Sequence, residues 1–324
     1  PPLVLHSNAL QRHSALRIAP SKETEPVGSS GDAADDPAIL VADQGQTWIV
    51  GTDKKWGLIA YDLEGQPQAS IARGRLNNVD AVPTADGFLL AATNRTIHSI
   101  DLFKAEPLQS KFDYLRSIPV SLNDPYGLCM GQHGNRVLIF AGGTDGEVQM
   151  WQLPADAEPS LAETLRFDSQ TEGCVYDPRQ HQLFVGEEAR GVWQIDLATG
   201  QRHLFAATED GVLVADVEGV ELCELNHERV LVVSSQGDDS FVILTLDVPH
   251  GGGAKFRIVA NEKLGIDGAS ETDGLACSNA AINGYPQGIL VVQDGRNRAP
   301  DANQNFKIVD WRAIHTALHG RIAP

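Results

Sequence analysis

The stretch SQTEG, residues 169–173, places a carboxylate directly before a glycine. The same arrangement returns in DVEG at 216–219 and in ETDG at 271–274, and an apolar run follows soon after each. Alignment of the strand-like segments that begin at such polar turns gives six copies with spacings of 44, 46, 46, 46 and 55 residues, which indicates an internal repeat. The anchor residues of the six copies are Asp36, Asp80, Tyr126, Glu172, Glu218 and Asp273.

Each copy contains a succession of short β-rich segments. One run comes behind the anchor, as in RVLIFAGG at 136–143, and another follows almost at once, as in GVWQIDL at 191–197. Alternating apolar and polar residues are typical of half-buried strands. Four short strands per roughly 46 residues, without a long helix, predict an all-β protein, a six-bladed β-propeller with four-stranded antiparallel blades. An all-β solenoid or a pair of sandwiches is the competing interpretation.

The repeat also sets the expected domain boundaries. We assign residues 31–315 to the propeller and residues 316–324 to a C-terminal tail. Residues 1–30 are either a leader or a segment that closes the ring. The sixth copy lacks an obvious fourth strand after Trp311, which favours a closing strand from the N-terminal segment.

The charge of the chain limits its partners. Only 25 Lys and Arg residues face 43 Asp and Glu residues, which gives a formal net charge of −18. This balance argues against nucleic acid or an anionic membrane surface as the main partner. No apolar run approaches the roughly 18 residues of a membrane span, so we expect a soluble chain from which any leader has been removed.

The four cysteines are widely spaced, with no Cys-x-x-Cys pair among them. They are Cys129, Cys174, Cys223 and Cys277. A chain of this length needs no disulfide to stabilise its core, so we expect buried free thiols. On this expectation the cysteines leave the redox compartment undecided.

Antiparallel topology determines where the anchors lie. In a blade with strands A, B, C and D, the connection into the next strand A lies on the same face as the turn between B and C. Anchors and B–C turns should therefore surround one end of a central channel. The polar residues of these turns are Asp53, Lys54, Lys55, Asn94, Arg95, Thr144, Asp145, Glu147, Glu187, Glu188, Arg190, Gln236, Asp238, Asp239, Asp294, Arg296 and Arg298.

So many carboxylates at one rim predict a cation site. Close carboxylates raise one another's pKa unless a cation lies among them. Oxygen ligands without a Cys or His cluster favour Ca²⁺ over zinc or copper. Several Ca²⁺ ions that face Lys and Arg would bind a polyanion such as a highly phosphorylated small molecule. The alternative is that each Asp-Gly or Glu-Gly is only a turn, but its recurrence on one face favours metal binding.

At these positions the sequence resembles the β-propeller phytases, calcium-dependent phosphatases of alkaline type. The resemblance keeps the family order over about 280 residues. It rests on DDPAI at 35–39, DKKWGL at 53–58, LNNVD at 76–80, TNR at 93–95, YGL at 126–128, SQTEG at 169–173, GEE at 186–188, DVEG at 216–219, SSQG at 234–237, TDG at 272–274, VQDG at 292–295 and NQNFKIVDW at 303–311.

The resemblance implies Ca²⁺-dependent hydrolysis of phytate (myo-inositol hexakisphosphate) by attack of water, without a covalent enzyme intermediate, and with an alkaline optimum. The implied calcium ligands are Glu172, Glu187, Asp216, Glu218 and Asp273, with further calcium or support positions at Asp36, Asp80, Asp145 and Asp294. The implied phosphate-binding residues are Lys54, Lys55 and Arg95, while Tyr126 and Gln236 would line the cleft. Among all of these, catalysis is assigned to Glu172, Asp216, Glu218, Lys54 and Arg95.

One position departs from the family pattern. The tip of the third blade usually reads Lys-Glu-Gly-Glu, and here it reads TDGE at 144–147. An acidic residue remains at Asp145, but Thr144 replaces a phosphate-binding lysine. Loss of a charge-assisted contact costs about 1.5–3 kcal/mol, so we expect weakened activity.

Two rival functions stay open beside the enzyme. A weakly active or inactive domain could bind calcium and phytate for a second phytase domain in the same polypeptide, and Thr144 favours that. A protein-binding propeller is the other, since fold alone does not decide function. The segment QHGNR at 132–136 resembles the loop of histidine acid phosphatases, but it lacks the leading Arg, and we interpret it as a hairpin turn on the opposite face. Because calcium and phytate occur together outside the cytoplasm, we expect a secreted or periplasmic protein.

Overall fold

The structure is a computed structural model that describes residues 15–246 and 253–319. The chain forms six small sheets, which are the blades. In each of blades one to five, four consecutive strands of the chain form an antiparallel sheet, and in blade six three consecutive strands do so. The innermost strands contact one another in order around a ring, and the last contacts the first. The prediction of a six-bladed β-propeller is therefore confirmed.

The strands follow the repeat along the chain. Two short strands, β1 (Leu16–Ile18) and β2 (Lys22–Glu23), precede the first blade. The strands of blades one to three are β3 (Ala34–Val41), β4 (Thr47–Asp53), β5 (Gly57–Tyr61), β6 (Pro67–Ala72), β7 (Leu76–Thr84), β8 (Gly87–Asn94), β9 (Ser99–Glu106), β10 (Lys111–Pro119), β11 (Pro125–His133), β12 (Arg136–Gly143), β13 (Glu147–Pro154) and β14 (Ser160–Arg166). Those of blades four to six are β15 (Thr171–Asp177), β16 (Gln182–Glu187), β17 (Gly191–Asp196), β18 (Arg202–Ala207), β19 (Val217–Leu225), β20 (Glu228–Ser235), β21 (Ser240–Thr245), β22 (Gly253–Ile258), β23 (Leu275–Ser278), β24 (Ile289–Asp294) and β25 (Asn305–Asp310).

The N-terminal segment completes the sixth blade. Strand β2 pairs antiparallel with β25, with Lys22 opposite Ile308 and Glu23 opposite Lys307. Blade six thereby obtains its fourth strand from the other end of the chain. Strand β1 pairs parallel with β22 and adds a fifth strand to blade five.

The core is divided among the gaps between blades. Among the residues that the structure describes, six buried apolar clusters occur, and each fills the space between two neighbouring sheets. Between blades one and two, for example, Trp48 packs with Leu90 and Phe103. Burial of large apolar side chains contributes about 1.5–3 kcal/mol each, so face-to-face packing of the blades stabilises the ring.

The expectation of free thiols was wrong. Cys129 pairs with Cys174 and Cys223 with Cys277, at Cα separations of 5.5 and 5.9 Å. Each disulfide joins the innermost strands of two neighbouring blades, three to four and five to six. Separations of 45 and 54 residues are close to one blade repeat, which places the partners on adjacent inner strands. Chain size alone, from which free thiols were expected, does not show this adjacency.

A C-terminal helix α1 (Trp311–His319) was not predicted. The Asp310 carboxylate accepts a hydrogen bond from the backbone N–H of Arg312 (2.9 Å), which caps its first turn. Trp311 and Ile314 are buried against the cluster between blades five and six. Within the described residues, no helix is long and apolar enough to span a membrane. As predicted, the QHGNR segment is the hairpin turn between β11 and β12, with His133 opposite Arg136.

Candidate active site at one mouth of the propeller

A bulge interrupts the start of the innermost strand in five blades. In blade four the pairing of β15 with β16 jumps from Thr171 opposite Glu187 to Cys174 opposite Val185, so β15 has one residue more than its partner. The same jump occurs in β3, β7, β11 and β19. Bulges re-aim side chains and recur beside active sites. In blade six Asp273 lies two residues before Leu275, as Glu218 lies two residues before Val220 in blade five.

On each bulged innermost strand, one residue comes directly after the last regular pair before the bulge. These residues and Asp273 of blade six occupy equivalent positions in the blades. We call these six residues the inner ring. They are Asp35, Asn77, Tyr126, Glu172, Glu218 and Asp273.

The anchor alignment was therefore wrong in blades one and two, where it selected Asp36 and Asp80. Asp35 and Asn77 are 42 residues apart and Asn77 lies 49 residues before Tyr126, so the regular spacing of 46 residues does not locate either position. Both side chains instead line the central channel, a cavity of about 660 Å³. The Asp36 carboxylate accepts a hydrogen bond from the backbone N–H of Val79 (3.1 Å). Asp80 accepts one from Met130 (2.7 Å), and burial raises its pKa to about 6.

In blades three and four, the glycine after the inner-ring residue is required by the approach of the next blade. A Cβ on Gly127 would lie 2.1 Å from the carbonyl oxygen of Glu172, and one on Gly173 would lie 2.2 Å from that of Glu218. No side chain fits at that distance. The repeated carboxylate-glycine pair therefore combines a site residue with a position where two blades touch.

A second set of residues comes from the B–C turns. The last residue of the second strand pairs with the first residue of the inner strand, as Asp53 does with Ala34 and Glu187 with Thr171. In each blade, the residue directly after this last strand residue occupies an equivalent position. We call these six residues the outer ring. Its members are Lys54, Arg95, Thr144, Glu188, Gln236 and Gly295.

Glu187 and Asp294 come directly before outer-ring residues in the sequence, and their carboxylates accept hydrogen bonds from neighbouring loops. One Glu187 oxygen accepts the backbone N–H groups of Asp168 (3.0 Å) and Ser169 (2.8 Å), and the other accepts the indole N–H of Trp193 (2.7 Å). One Asp294 oxygen accepts the backbone N–H groups of Ser270 (3.1 Å) and Arg296 (3.2 Å), and the other lies 3.2 Å from the Lys307 ammonium. Metal binding by either residue stays a prediction, and the geometry favours Glu188 over Glu187.

Three carboxylates converge across the two rings. Glu172, Glu188 and Glu218 each offer an oxygen, and these oxygens lie within 4.8 Å of one another. Burial, followed by the charges of Glu218 and Asp35, raises the pKa of Glu172 well above its usual value. Burial also raises the pKa of Glu218 and of Glu188.

Several oxygens around this cluster have no donor. Both oxygens of Asp35 and Oε2 of Glu218 are buried without a hydrogen-bond partner among the described residues. Buried carboxylate oxygens are nearly always satisfied in folded proteins. A hard divalent cation would satisfy them, and an all-oxygen donor set suits Ca²⁺. The residues present therefore fit a calcium centre.

Cationic side chains occupy the first two blades of the outer ring. The Lys54 ammonium lies 2.7 Å from Asp32, 3.0 Å from Asp273 and 3.9 Å from Asp35. Burial acts against its charge, but the nearby carboxylates prevail and raise the pKa of Lys54 above its ordinary value.

Arg95 and Gln236 are also held in the mouth. Arg95 pairs with Asp124, and its guanidinium lies 4.9 Å from the centre of the Tyr126 ring. The Gln236 side chain donates a hydrogen bond to Asp273 (2.7 Å). The predicted positions Lys54, Arg95, Tyr126 and Gln236 thus lie around the carboxylate cluster.

Three other predicted residues lie at the edge of this arrangement. Asp216 is exposed, and its charge contributes to the raised pKa of Glu188. Lys55 is exposed and donates to the carbonyl of Ser30. Asp145 is exposed and accepts a hydrogen bond from the N–H of Glu147 within its own turn (3.4 Å). Their roles stay predictions.

Sequence reasoning did not assign Asp35, Asn77, Glu188 or Asp124 to the site. Asp35, Asn77 and Glu188 lie in quoted motifs, so the motif was found but the register within it was not, whereas Asp124 lies outside those motifs. For the first three, the distinguishing signal is the strand pairing, which shows which residue follows the last regular pair.

Comparisons with known proteins identify the family of the chain. A family model described as Phytase matches residues 3–323. The 3-phytase of Bacillus subtilis (strain 168) is 32% identical over 327 residues, which cover 92% of this chain and 85% of that protein.

Among solved structures, a luciferin-regenerating enzyme superposes with a TM-score of 0.59 at 9% identity, over 90% of this chain and 95% of its own. That likeness concerns the fold alone. The family model and the 3-phytase, which both extend over nearly the whole chain, decide the family. This chain belongs to the phytase family.

Proposed function

We propose that this protein is a calcium-dependent phytase, a phosphoric monoester hydrolase of the 3-phytase type that acts on myo-inositol hexakisphosphate. Family membership supports phytate hydrolysis. The observation that carries the calcium dependence is the set of buried carboxylate oxygens without donors beside Glu172, Glu188 and Glu218.

At the mouth of the propeller, the carboxylates of the two rings would bind calcium and the cationic side chains would bind substrate. Bound Ca²⁺ would polarise phosphoryl oxygens and lower the pKa of bound water. Glu172, Glu188, Glu218, Asp35 and Asp273 would hold the ions. Because calcium acidifies water only weakly, an alkaline optimum is expected.

The protein's own cations would bind the substrate. Lys54 and Arg95 are positioned to offset charge on the non-bridging phosphate oxygens, and Lys55 would contact a neighbouring phosphate at the rim. Thr144 occupies the outer-ring position of blade three, the place equivalent to Lys54 and Arg95, so we infer weaker substrate binding there than in family members with lysine.

The two disulfides suit a protein that matures in an oxidising compartment, which supports secretion or a periplasmic location. The alternative is that this domain binds calcium and phytate for a second phytase domain. No contact among the described residues favours that alternative over hydrolysis by this chain alone.

Phosphate release from calcium phytate, with and without chelator, tests the proposal. Wild type should release phosphate only with calcium, and Glu172→Gln should lower the rate at least about a hundredfold. Glu163→Gln, at an exposed position of β14, serves as the matched control and should behave like wild type. If wild type releases no phosphate at any pH while calcium still raises its melting temperature, the chain is a binding domain and the enzyme proposal fails.

A further inference from the structure

Asp124 lies outside both rings but is joined to Arg95. The Arg95 Nε–H donates to one Asp124 oxygen (3.0 Å), and Nη2 donates to the other. Such a two-point pairing of guanidinium and carboxylate fixes the orientation of the guanidinium plane as well as its position.

Two further contacts hold the same guanidinium. Its face lies 4.9 Å from the centre of the Tyr126 ring, and Nη1 donates to the side-chain oxygen of Asn77 (3.3 Å). The Asn77 amide in turn donates to Glu172 (3.2 Å). Arg95 is therefore held along its Nε–Nη2 edge by Asp124, on one face by Tyr126 and at Nη1 by Asn77, whose buried amide links it to the carboxylate cluster.

The donor count leaves a pair of N–H groups for a ligand. A guanidinium has five N–H donors. Asp124 accepts two of them and Asn77 accepts one, which leaves one on Nη1 and one on Nη2. Because both nitrogens are bonded to the same carbon, these two groups can donate to two oxygens of one phosphate group.

The backbone around Asp124 and the charge of its side chain favour this ion pair. It has a φ of 51°, in the left-handed region that Asp tolerates better than most residues, and Pro125 follows it at the start of β11. Its side chain is 32% exposed, so the ion pair lies at the border between the mouth and solvent. The hydrogen bond from Arg95 lowers the pKa of Asp124, which keeps it ionised.

We propose that Asp124 is a positioning residue that orients Arg95 so that its two remaining N–H groups bind one phosphate of the substrate. This inference rests on the proposed function. In it the ion pair persists when substrate binds, and Asp124 is not a counterion that the phosphate displaces. Removal of the Asp124 charge would free the Arg95 side chain to rotate, which weakens substrate binding without altering the chemistry at the carboxylate cluster.

A double-mutant cycle tests this role. Asp124→Asn should raise KM for phytate about tenfold, with kcat and calcium affinity each within about twofold of wild type. In an Arg95→Lys background, where no planar fork remains to be oriented, Asp124→Asn should change KM less than about twofold. Glu158→Gln breaks the exposed pair with Arg116 and is the matched control with no effect.

Different measurements test the proposed function and the role of Asp124. If wild type fails to hydrolyse phytate, the proposed function is lost, and the same cycle is then measured as binding of inorganic phosphate by calorimetry. Asp124→Glu, which keeps the charge at a different distance, should give an intermediate KM if Asp124→Asn does not fold. The positioning role is overturned if Asp124→Asn leaves KM unchanged or lowers it, or raises it by the same factor in the Arg95→Lys background.

Discussion

The backbone of Glu218 occupies the space that a side chain at residue 173 would need, since a Cβ on Gly173 would lie 2.2 Å from the Glu218 carbonyl oxygen and 2.6 Å from the N–H nitrogen of Val220. Both neighbours are backbone atoms and cannot rotate away. The glycine after Glu172 therefore allows the innermost strands of blades four and five to approach each other closely.

Gly173→Ala should therefore lower the free energy of unfolding by about 3 kcal/mol, at the upper end of the cost of overpacking. Gly28→Ala is the matched control, because nothing lies within 4 Å of the added methyl group. Chemical denaturation should place the control within about 0.5 kcal/mol of wild type. Equal stability of the two variants would contradict the contact between blades four and five.

Neighbouring glutamates should have opposite phenotypes. Glu188→Gln removes a charge from the carboxylate cluster and should weaken calcium binding about tenfold or more. Glu187→Gln should keep calcium affinity within about twofold but lower the melting temperature, since an amide NH₂ would face N–H donors in the buried loop at a cost of about 1–3 kcal/mol. Calorimetric calcium titration and thermal unfolding of both variants give the comparison, and the reverse pattern would return the metal site to Glu187.

The pKa of Asp273 predicts how calcium binding responds to pH. Burial, and then the charge of Asp35, raises the pKa of Asp273 to about 7, although Lys54 opposes this. Protons compete with calcium for the carboxylate below that pH, so affinity should increase between pH 6 and pH 8. The increase should be smaller in Asp273→Asn. A variant with the full wild-type pH dependence would show that another group is responsible.

Thr144→Lys should raise kcat/KM for phytate about ten- to a hundredfold, which corresponds to the roughly 1.5–3 kcal/mol of a charge-assisted hydrogen bond. Residue 144 is the outer-ring equivalent of Lys54 and Arg95, so an ammonium there would face the same substrate. Thr199→Lys, in the exposed turn between β17 and β18, adds the same charge on the other side of the ring and should leave the rate constant unchanged. A similar gain from both variants would mean that net charge alone matters.

The disulfide between Cys129 and Cys174 should stabilise the junction of blades three and four. Replacement of both cysteines by serine should lower the free energy of unfolding by about 2–4 kcal/mol, the usual effect of a native disulfide. Denaturation with and without reductant checks the result. If wild type loses no stability under reductant, the bridge does not form in solution.

The sequence was informative wherever the repeat survives as a period. Tyr126, Glu172 and Glu218 were aligned correctly because they are separated by the regular spacing of 46 residues. Asp35 and Asn77 were missed because they are 42 residues apart and Asn77 lies 49 residues before Tyr126, so the regular spacing does not lead to either of them. Glu188 was missed in favour of Glu187 for a related reason, since only the pairing with Thr171 fixes the last strand residue.

The helix could have been anticipated. Trp311 and Ile314 are spaced as one helical face, and Asp310 supplies a cap. The disulfides required knowledge of which inner strands are neighbours, which follows from the ring once the blade order is accepted.

The pairing of β2 with β25 also bears on how the protein is made. Glu23 and Lys307 are 284 residues apart, and the buried Lys307 ammonium is neutralised in part by Glu23. Because β25 is synthesised long after β2, blade six cannot obtain its fourth strand until synthesis has passed residue 310. We therefore expect closure of the ring to be a late, non-local step of folding.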